Sequence, residues 1–369
     1  MKKLKLATIL GTRPEIIRLS SIIKRARNVF DHTLIHTGQN YDHVLNHVFF
    51  NDLDLALPDY NLNVVGGDLG ETIGNIISKC YKLLVEVRPD AVLVLGDTNS
   101  ALSVIAAKRL KIPIFHIEAG NRCFDENLPE ELNRRIIDHV SDINLACSEN
   151  ARINLLSEGI SPRDVFVVGS PMKEVLNHRR SSQVLSNLNL ESKNYFLFSA
   201  HREENIDIER NFYELMEAVN ALAMYYKMTV IFPMHPRSKK AVTKRGFKFS
   251  PLVKLHEPFC FSDYVELQIN ARCVISDSGT LAEESAILGF PAVSARTSTE
   301  RQEVIDQGTM IIGGINKASI QQAVEMAIAF KDIPRNPVPD YTQTHVSVKV
   351  CEIIQGYTDI VNRMVWRKK

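Results

Sequence analysis

Short apolar segments alternate with longer amphipathic segments along almost the whole chain, and this alternation constrains the fold more than any other feature. Segments such as Lys5–Leu10 and Ala91–Leu95 have the length and the continuous apolar character of buried strands. The segments between them, such as Gly70–Val87, carry apolar residues at the helical period. Strands that alternate with helices form βαβ units on a parallel sheet. The sequence therefore predicts an α/β fold.

The alternation occurs in two series, which predicts two doubly wound domains. The strands expected in the first half are Lys5–Leu10, Thr33–His36, Ala91–Leu95, Ile112–Ile117, Ile143–Ala146 and Val165–Val168. The helices expected there are Pro14–Asn28, Gly70–Val87, Ser100–Leu110, Glu130–Val140 and Glu149–Glu158. The strands expected in the second half are Tyr195–Ala200, Thr229–Phe232, Val253–His256, Cys273–Ser276, Pro291–Ser294 and Thr309–Ile311. The helices expected there are Ile208–Tyr226, Phe261–Asn270, Leu281–Leu288 and Lys317–Phe330.

A break between the two series predicts the domain boundary. Residues 178–194 are polar and rich in serine, as expected for the approach to a second domain. With 369 residues, the chain is too long for one ordinary core. We expect a Rossmann-like domain over residues 1–175, a second over residues 190–340, and a terminal helix within residues 345–369. Loops at the strand ends of two such domains would face each other across a cleft.

Composition argues against several classes of function. The formal net charge of +1 lacks the basic excess of a nucleic-acid-binding surface. No stretch approaches a membrane span, and the apolar run near the start is too short for a secretion signal. The six cysteines are scattered without C-x-x-C spacing, so we expect reduced thiols of a cytoplasmic protein and no metal site. Neither a G-x-G-x-x-G nor a Walker motif occurs, which leaves a nicotinamide cofactor unsupported.

Three acidic residues occupy strand-end loops of the first half. Asp97 directly follows the strand Ala91–Leu95, Glu118 ends the next strand, and Glu130 follows an acidic loop. Each has a simpler explanation, because Asp97 suits a helix N-cap and acids near Glu130 favour the positive end of a helix dipole. Consecutive strand-end loops nevertheless converge on one crevice. Clustered carboxylates raise one another's pKa, as proton abstraction near neutral pH requires.

Basic side chains follow strands in both halves. Arg13 lies in Gly11–Glu15, where glycine permits a tight turn, proline suits the first helical position, and the arginine can face an anion. An ordinary βα turn would also explain these residues. In the second half, His201 follows one strand, and His235 with Arg237 follows the next. A cationic edge of the second sheet is therefore expected.

A hydroxyl-rich turn in the second half predicts an anion site. The segment Ser276–Glu284 joins a strand to a helix, and its backbone N–H groups form a nest suited to a diphosphate. Glu284 lies one turn into the helix, where it can accept hydrogen bonds from ribose hydroxyls. Arg301 stands at the start of a further helix. The nest itself consists of Ser278, Gly279 and Thr280. These residues predict a site for a nucleotide diphosphate.

Taken together, these residues resemble the non-hydrolysing UDP-N-acetylglucosamine 2-epimerase family, in order and over nearly the whole chain. The matching motifs are Gly11–Glu15, Gly96–Thr98, Glu118–Gly120, Pro129–Arg135, His201-Arg202, Asp277–Gly279, Glu283-Glu284 and Glu300-Arg301. The resemblance implies a glycosyltransferase-B-type fold whose final helix crosses back onto the first domain. It also implies a UDP-sugar substrate, no cofactor and a homodimer.

The resemblance implies roles for individual residues as well. Asp97, Glu118 and Glu130 would supply acid and base groups, and His201 would act at the leaving diphosphate. The residues implied in UDP binding are Arg13, Ser278, Gly279, Glu284 and Arg301. Members of the family eliminate UDP to leave a glycal, then add it back after reprotonation of C2 on the other face. Cations stabilise the charge that grows as the C1–O bond breaks, and carboxylates exchange the proton.

Some segments of this chain differ from the corresponding segments of the commoner family members. Those members carry a threonine-rich stretch and a tryptophan-containing loop. The segments that differ or that suggest another branch are Thr37–Asp42, Asn99-Ser100, Asn121–Asp125 and Ser199–Asn205. They resemble the UDP-N-acetyl-L-fucosamine synthase branch, which converts UDP-2-acetamido-2,6-dideoxy-L-talose for capsule or O-antigen polysaccharide. Cys123 and Phe124 either line a pocket for a 6-deoxy methyl group or pack on their own domain.

Three alternatives to this reaction stay open on the sequence. One is epimerisation of UDP-N-acetylglucosamine to UDP-N-acetylmannosamine. Another is a glycosyltransferase, because the fold is shared and a fold does not determine function. The third is a catalytically silent sensor of nucleotide sugars.

Overall fold

The structure, a computed structural model, describes residues 3–38 and 49–368. These residues form two compact units, each built on one parallel sheet. The first unit comprises Met1–His178 and Pro339–Lys369, and the second comprises Arg179–Val338.

The first unit contains a seven-stranded sheet in the order β3-β2-β1-β4-β5-β6-β7. Its strands are β1 (Lys5–Leu10), β2 (Asp31–His36), β3 (Tyr60–Asn61), β4 (Ala91–Leu95), β5 (Ile114–Ile117), β6 (Ile143–Ala146) and β7 (Val165–Val167). Its α-helices are Arg13–Val29, Leu69–Val87, Val104–Arg109, Pro129–Val140, Glu149–Ser157, Met172–Asn177 and Val346–Met364. Short 3₁₀ helices span Asn99–Ser103, Pro162–Asp164 and Pro339–Tyr341.

The second unit contains a six-stranded sheet in the order β10-β9-β8-β11-β12-β13. Its strands are β8 (Tyr195–Ser199), β9 (Thr229–Pro233), β10 (Val253–His256), β11 (Cys273–Ser276), β12 (Ala292–Ser294) and β13 (Ile311–Ile312). Its helices are Val184–Asn187, Glu203–Ile206, Glu209–Tyr226, Pro236–Arg245, Phe261–Asn270, Thr280–Leu288, Gln302–Asp306 and Lys317–Ala329.

Both sheets reverse their strand order at one point, between β1 and β4 in the first unit and between β8 and β11 in the second. The pairing there is parallel, with Leu6 opposite Ala91 and Ser276 opposite Ser199. In doubly wound sheets, ligands bind outside the carboxyl ends of the strands at this switch point. The predicted α/β class with two Rossmann-like parallel sheets is confirmed, and the two switch points indicate where each unit can hold a ligand.

The central strands are apolar because helices cover both faces of each sheet. All residues of β4 and β5 are buried, and β1 is buried beyond its first residue. In the first unit, side chains from the helix Leu69–Val87 pack with those of β1 and β4 in one core. A core of the same kind in the second unit contains aromatic residues of β8 and β9, where the rings of Phe198 and Phe232 meet edge to face.

The last helix, Val346–Met364, belongs to the first unit and packs against the helix Arg13–Val29. Its start is held by the buried carboxylate of Glu174, which accepts hydrogen bonds from the backbone N–H and the hydroxyl of Ser347, at 3.0 and 2.5 Å. The chain therefore returns to its first unit after completing the second.

Several elements differ from the sequence predictions. The polar segment 178–194 is divided, because the second unit begins at Arg179 and contains the short helix Val184–Asn187. The helix expected over Ser100–Leu110 begins as a 3₁₀ turn, Asn99–Ser103, before it becomes an α-helix. The prediction omitted β3 and the helices Met172–Asn177, Glu203–Ile206, Pro236–Arg245 and Gln302–Asp306. Most of these elements are too short to show a period, and the longest, Pro236–Arg245, is strongly polar.

Candidate active site

Asp97 and Glu118 follow the adjacent strands β4 and β5 of the first unit, on turns with unusual backbone angles. Gly96 and Gly120 have φ angles of 70° and 84°, in the left-handed region that favours glycine. A Cβ atom at Gly120 would also lie 2.2 Å from the carbonyl oxygen of Ala151. Glu118 adopts a φ of 68° although it is not glycine. Such backbone angles in non-glycine residues are uncommon and cluster at functional sites.

Glu118 is fixed by two partners. Its Oε2 forms an ion pair with the buried guanidinium of Arg18, on the first helix. Its Oε1 accepts a hydrogen bond of 3.1 Å from the side-chain amide of Asn121. The carboxylate is mostly buried and is held in a single orientation at the end of β5.

Asp97 is held in a similar way by the helix Pro129–Val140. Arg134 contacts Asp97 Oδ2 through Nε at 2.8 Å and through Nη2 at 2.7 Å. The Asn133 side chain donates to the carbonyl oxygen of Asp97 at 2.9 Å and to Oδ1 of Asn99 at 3.0 Å. The N-cap of the following 3₁₀ helix is Thr98. The simpler interpretation of Asp97 as a helix cap alone is therefore wrong.

Glu130 lies in the first turn of the same helix and is half-buried. Residues four apart share a helix face, so Glu130 lies on the same side as Arg134, the partner of Asp97. Its neighbour Glu131 is buried and engaged elsewhere, since it binds the backbone N–H of Cys123 at 3.1 Å and Arg134 Nη1 at 2.9 Å. Of the paired acids, Glu130 is thus the one left open to a ligand.

The arginine partners change the expected electrostatics of this cluster. The expectation that clustered carboxylates raise one another's pKa stays a prediction, and the structure adds that Asp97 and Glu118 are each ion-paired with a buried arginine. The sequence analysis gave no role to Arg18, because it considered the helix after Arg13 only as an element that packs on the sheet. The available signal was a charged residue, Arg18, among the apolar residues that this helix buries.

The turn after β1 contains Arg13, which the sequence predicts to bind UDP, and Glu15, to which the sequence analysis gave no role. Arg13 is half-buried, with its guanidinium 5.7 Å from the ring of Phe49. Glu15 is buried, and its carboxylate accepts hydrogen bonds from the N–H of Gly11 at 3.1 Å and the hydroxyl of Thr12 at 2.8 Å. Burial outweighs these hydrogen bonds and raises the pKa of Glu15 to about 7. The carboxyl group therefore stabilises the turn after β1 by accepting hydrogen bonds from two of its residues.

In the second unit, Asp277 organises the loop after β8. It accepts hydrogen bonds from the backbone N–H groups of His201 and Arg202 at 3.0 Å and from the Asn205 side chain at 3.1 Å. His201 Nδ1 lies 3.2 Å from Asp277 Oδ1. Burial would raise the pKa of Asp277, but the charge and hydrogen bonds of His201 and its neighbours lower it to about 2. The aspartate is an ionised anchor, and the half-exposed His201 ring faces outward from it.

His235 and Arg237 begin the helix after β9. The His235 ring lies 5.6 Å from the ring of His201, centroid to centroid, so the structure brings the two predicted histidines together. His235 Nδ1 accepts a hydrogen bond of 3.3 Å from the N–H of Arg237. The guanidinium of Arg237 is 3.3 Å from the exposed carboxylate of Glu203. Both histidines and Arg237 occupy the same sheet edge, as predicted.

The turn after β11 provides the hydroxyl-rich nest. Ser278 Oγ and Thr280 Oγ1 lie 3.0 Å apart, and the N–H of Ser278 donates to the hydroxyl of Ser276 at 3.0 Å. A Cβ atom at Gly279 would lie 2.6 Å from Glu300 Oε1, so a larger residue there would have to displace this buried carboxylate. Glu284 is buried one turn later and accepts a hydrogen bond of 2.6 Å from Gln268.

Arg301, which the family resemblance implies in UDP binding, is buried in this structure. The residue is 1% exposed, and its Nη2 lies 3.4 Å from the fully buried carboxylate of Glu283. Its backbone N–H donates to the hydroxyl of Thr299 at 3.1 Å. The side chain therefore lies beneath the nest and supports the helix Thr280–Leu288, and it does not present an open cationic surface.

The loop between β5 and the helix Pro129–Val140 contains the residues predicted for substrate selection. The thiol of Cys123 lies 3.3 Å from Glu131, and the residue is half-buried. Phe124 is 69% exposed, with a φ of 57°. The interpretation that Phe124 packs on its own domain is therefore wrong. Residues 39–42 of the segment Thr37–Asp42 lie outside the described residues.

Residues 3–38 and 49–368 contain no group of three or more histidine, cysteine or acidic side chains that could hold a metal ion. Among the same residues, no helix has the length and apolar character needed to cross a membrane.

Comparisons with known proteins agree over most of the chain. The profile of a family described as UDP-N-acetylglucosamine 2-epimerase matches residues 23–355. The UDP-N-acetylglucosamine 2-epimerase of Methanocaldococcus jannaschii is 37% identical over 355 residues, covering 90% of this chain and 95% of that protein. The structure of UDP-N-acetylglucosamine 2-epimerase from Rickettsia bellii has a TM-score of 0.91 at 42% identity, covering 99% of this chain and 100% of that one. A crystal structure of the Methanocaldococcus jannaschii enzyme in complex with UDP-GlcNAc and UDP has a TM-score of 0.90 at 35% identity, covering 96% and 100%.

Proposed function

Because the chain belongs to the UDP-N-acetylglucosamine 2-epimerase family and is a UDP-sugar 2-epimerase, we propose that Asp97, Glu118 and Glu130 perform the proton transfers at C2. The observation that carries this assignment is the pair of arginine-held carboxylates on adjacent strand ends, Asp97 with Arg134 and Glu118 with Arg18. Fixed orientation is what proton transfer at a weakly acidic carbon requires, because the base must meet the C–H bond at a set angle and distance.

The second unit would bind the UDP portion. The nest of Ser278, Gly279 and Thr280 offers backbone donors to a diphosphate, and Glu284 offers an acceptor to the ribose. His201 lies beside it, with Nδ1 3.2 Å from Asp277 Oδ1, and would act at the leaving diphosphate. These features match an elimination in which the C2 proton moves to a carboxylate, the C1–O bond breaks and its electrons leave with UDP.

The return reaction would use the same groups. Protonation of the glycal at C2 from the opposite face and re-addition of UDP to C1 restore all atoms and electrons. The two reaction steps therefore need no oxidant or reductant. Acids on two faces of the sugar are needed for inversion, and Asp97, Glu118 and Glu130 offer more than one. Arg13 at the β1 turn would supply a further cation to UDP.

Solvent exchange at C2 tests this mechanism. In deuterium oxide, the wild-type enzyme should incorporate deuterium at C2 of its UDP-sugar with no acceptor present. Asp97→Asn and Glu118→Gln should each lower the exchange rate by about 10²–10⁴-fold, the usual contribution of one acid or base. UDP affinity should change little, because both residues lie in the first unit and the nest lies in the second.

Other outcomes of this experiment have definite meanings. Retained exchange in a folded Asp97→Asn or Glu118→Gln variant would remove that residue from the mechanism. Release of UDP only with an acceptor, without exchange, would indicate a glycosyltransferase. Binding of the UDP-sugar with neither reaction would indicate a sensor.

For the substrate, we propose UDP-2-acetamido-2,6-dideoxy-L-talose, converted to UDP-N-acetyl-L-fucosamine. Support comes from Phe124, a large apolar ring left 69% exposed on the loop between Glu118 and Glu130. An exposed aromatic ring beside polar acids suits the methyl group of a 6-deoxy sugar better than a hydroxymethyl group. The second candidate is UDP-N-acetylglucosamine, the substrate in the names of the relatives.

Incubation with both sugar nucleotides, followed by proton NMR, separates these candidates. Turnover of the L-talo sugar with a higher kcat/KM supports the first, and preference for UDP-N-acetylglucosamine refutes it. Phe124→Ala should then reduce kcat/KM for the 6-deoxy sugar by about 10-fold, as expected for one lost apolar contact. Phe330→Ala is a matched control, because Phe330 is also exposed but lies in the second unit at the end of a helix.

We further propose that the enzyme acts as a cytoplasmic homodimer. This follows from the family resemblance, and light scattering coupled to size exclusion tests the assembly. A mass near the 41.7 kDa of one chain would contradict the dimer.

A further inference from the structure

Next to the turns that carry Asp97 and Glu118 lies a series of four contacting charged or ionisable side chains with no role in the proposed mechanism. They are Glu158, Arg122, Asp138 and His116. Glu158 accepts from Arg122 Nε at 2.8 Å and from Arg122 Nη2 at 2.7 Å. Arg122 Nη1 lies 2.8 Å from Asp138 Oδ2. Asp138 Oδ1 lies 2.8 Å from His116 Nδ1. Arg122, Asp138 and His116 are buried. We call this set the buried chain.

The buried chain ends on the backbone that carries the two arginine-held acids. His116 Nε2 lies 2.9 Å from the carbonyl oxygen of Gly96, the residue before Asp97. Asp138 Oδ2 accepts from the N–H of Gly120, two residues after Glu118, at 3.1 Å. The same pair, His116 and Asp138, therefore contacts the turns after both β4 and β5.

The hydrogen-bonding chemistry gives these contacts a direction. A carbonyl oxygen can only accept, so His116 Nε2 must donate to Gly96. The other ring nitrogen, Nδ1, faces the carboxylate oxygen Oδ1 of Asp138 at 2.8 Å. The arginine adds one positive charge between the carboxylates of Asp138 and Glu158. Removing the charge of Asp138 leaves the buried Arg122 without one of its two acidic partners, which perturbs the whole set.

We propose that the buried chain is a positioning device that fixes the separation of Asp97 and Glu118. It joins the Gly96 and Gly120 turns, which carry φ angles of 70° and 84° and lead into or out of the two acids. Side-chain pairing alone cannot set this separation, because Arg18 and Arg134 hold the two acids independently from different helices. This inference rests on the proposed acid and base roles of Asp97 and Glu118.

The first unit offers a matched control in Asp142, which contacts the start of β5. Asp142 is also a buried aspartate with a cationic partner, Lys108 at 2.6 Å. It accepts from the N–H of Ile114 at 3.0 Å, at the opposite end of β5 from Glu118. Asp142→Asn therefore perturbs an ion pair next to the start of β5 without touching the turns that carry the acids.

The experiment compares Asp138→Asn with Asp142→Asn in the full-length enzyme, using C2 deuterium exchange, KM, UDP affinity and melting temperature. We expect Asp138→Asn to lower kcat by about 10²-fold, the effect of a displacement of about 1 Å between reacting groups. KM and UDP affinity should stay within about threefold of the wild-type values. Asp142→Asn should lower the melting temperature but keep the wild-type kcat.

Unchanged kcat in folded Asp138→Asn would overturn the proposal, as would an equal loss of kcat in both variants. Should Asp138→Asn not fold, Glu158→Gln is the deciding variant, because Glu158 is partly exposed at the outer end of the buried chain. Its kcat should fall by a few-fold at constant KM, and an unchanged kcat there would equally overturn the proposal. A wild-type enzyme with no C2 exchange would instead refute the proposed function itself.

Discussion

The buried carboxyl group of Glu15 predicts a measurable pH dependence of stability in the first unit. Its pKa rises from 4.5 to about 7 because burial penalises the charged form more than the hydrogen bonds from Thr12 and Gly11 favour it. Glu15→Gln keeps a side chain of nearly the same shape and an oxygen that can accept both hydrogen bonds. It removes only the ionisable proton.

The sign and size of the effect follow from proton linkage. Between pH 4.5 and about 7, the folded state holds a proton that the unfolded state has released. The stabilisation is therefore complete below pH 4.5 and is lost as the pH rises through about 7. Above that pH, Glu15 no longer changes the free energy of unfolding with pH. A difference of about 2.5 pKa units corresponds to roughly 3 kcal/mol at 1.36 kcal/mol per unit. Glu15→Gln should remove this loss and gain up to about 3 kcal/mol over the wild type at pH 8.

Urea unfolding from pH 4.5 to 8 measures the effect. The single tryptophan, Trp366, belongs to the first unit, with Lys108 Nζ 5.2 Å from its ring, so its fluorescence follows the unfolding of that unit. Glu174→Gln, which removes another buried carboxyl group of the same unit, is measured alongside as the control for the substitution itself. Parallel pH profiles for the wild type and Glu15→Gln would refute the account of Glu15.

Two further changes test the nest of the second unit. Gly279→Ala should weaken UDP binding by at least about 10-fold, or about 1.4 kcal/mol, because its Cβ would lie 2.6 Å from Glu300 Oε1. Calorimetry with UDP tests this, with Gly356→Ala as a control that has open space, and equal affinities of the two variants would contradict it. Arg301→Ala should destabilise the second unit by about 3–5 kcal/mol, since it takes the guanidinium away from the buried Glu283. A variant that loses UDP affinity at an unchanged melting temperature would instead indicate direct contact between Arg301 and UDP.

The sequence predicted the sheets well because the relevant signals are local. Continuous apolar runs such as Ala91–Leu95 are long enough to identify buried strands, and the observed β4 has the same bounds. The strand-end positions of Asp97 and Glu118 followed directly from such runs. The short strand Tyr60–Asn61 has only two residues, both exposed, and carries no pattern that could predict it.

The partners of the acids could not be predicted in the same way. Arg18 pairs with Glu118 across 100 positions of the chain, and Arg134 pairs with Asp97 across 37. An arginine on a helix gives the same local signal whether it faces solvent or a buried carboxylate. Arg301 shows a related limit, because its place at a helix start gave no sign that its side chain is buried against Glu283. Its role in UDP binding stays a prediction.

These pairings explain why the acid cluster can be both buried and stable. Three nearby carboxylates without counter-ions would repel one another in a medium of low dielectric constant, at a cost of several kcal/mol. Each arginine offsets that cost and also removes rotational freedom from the carboxylate it holds. Glu130 is half-buried and lies on the helix face of Arg134. Asp97 and Glu118 are therefore fixed in position by arginines from different helices, which is the positional control that the proposed proton transfer at C2 requires.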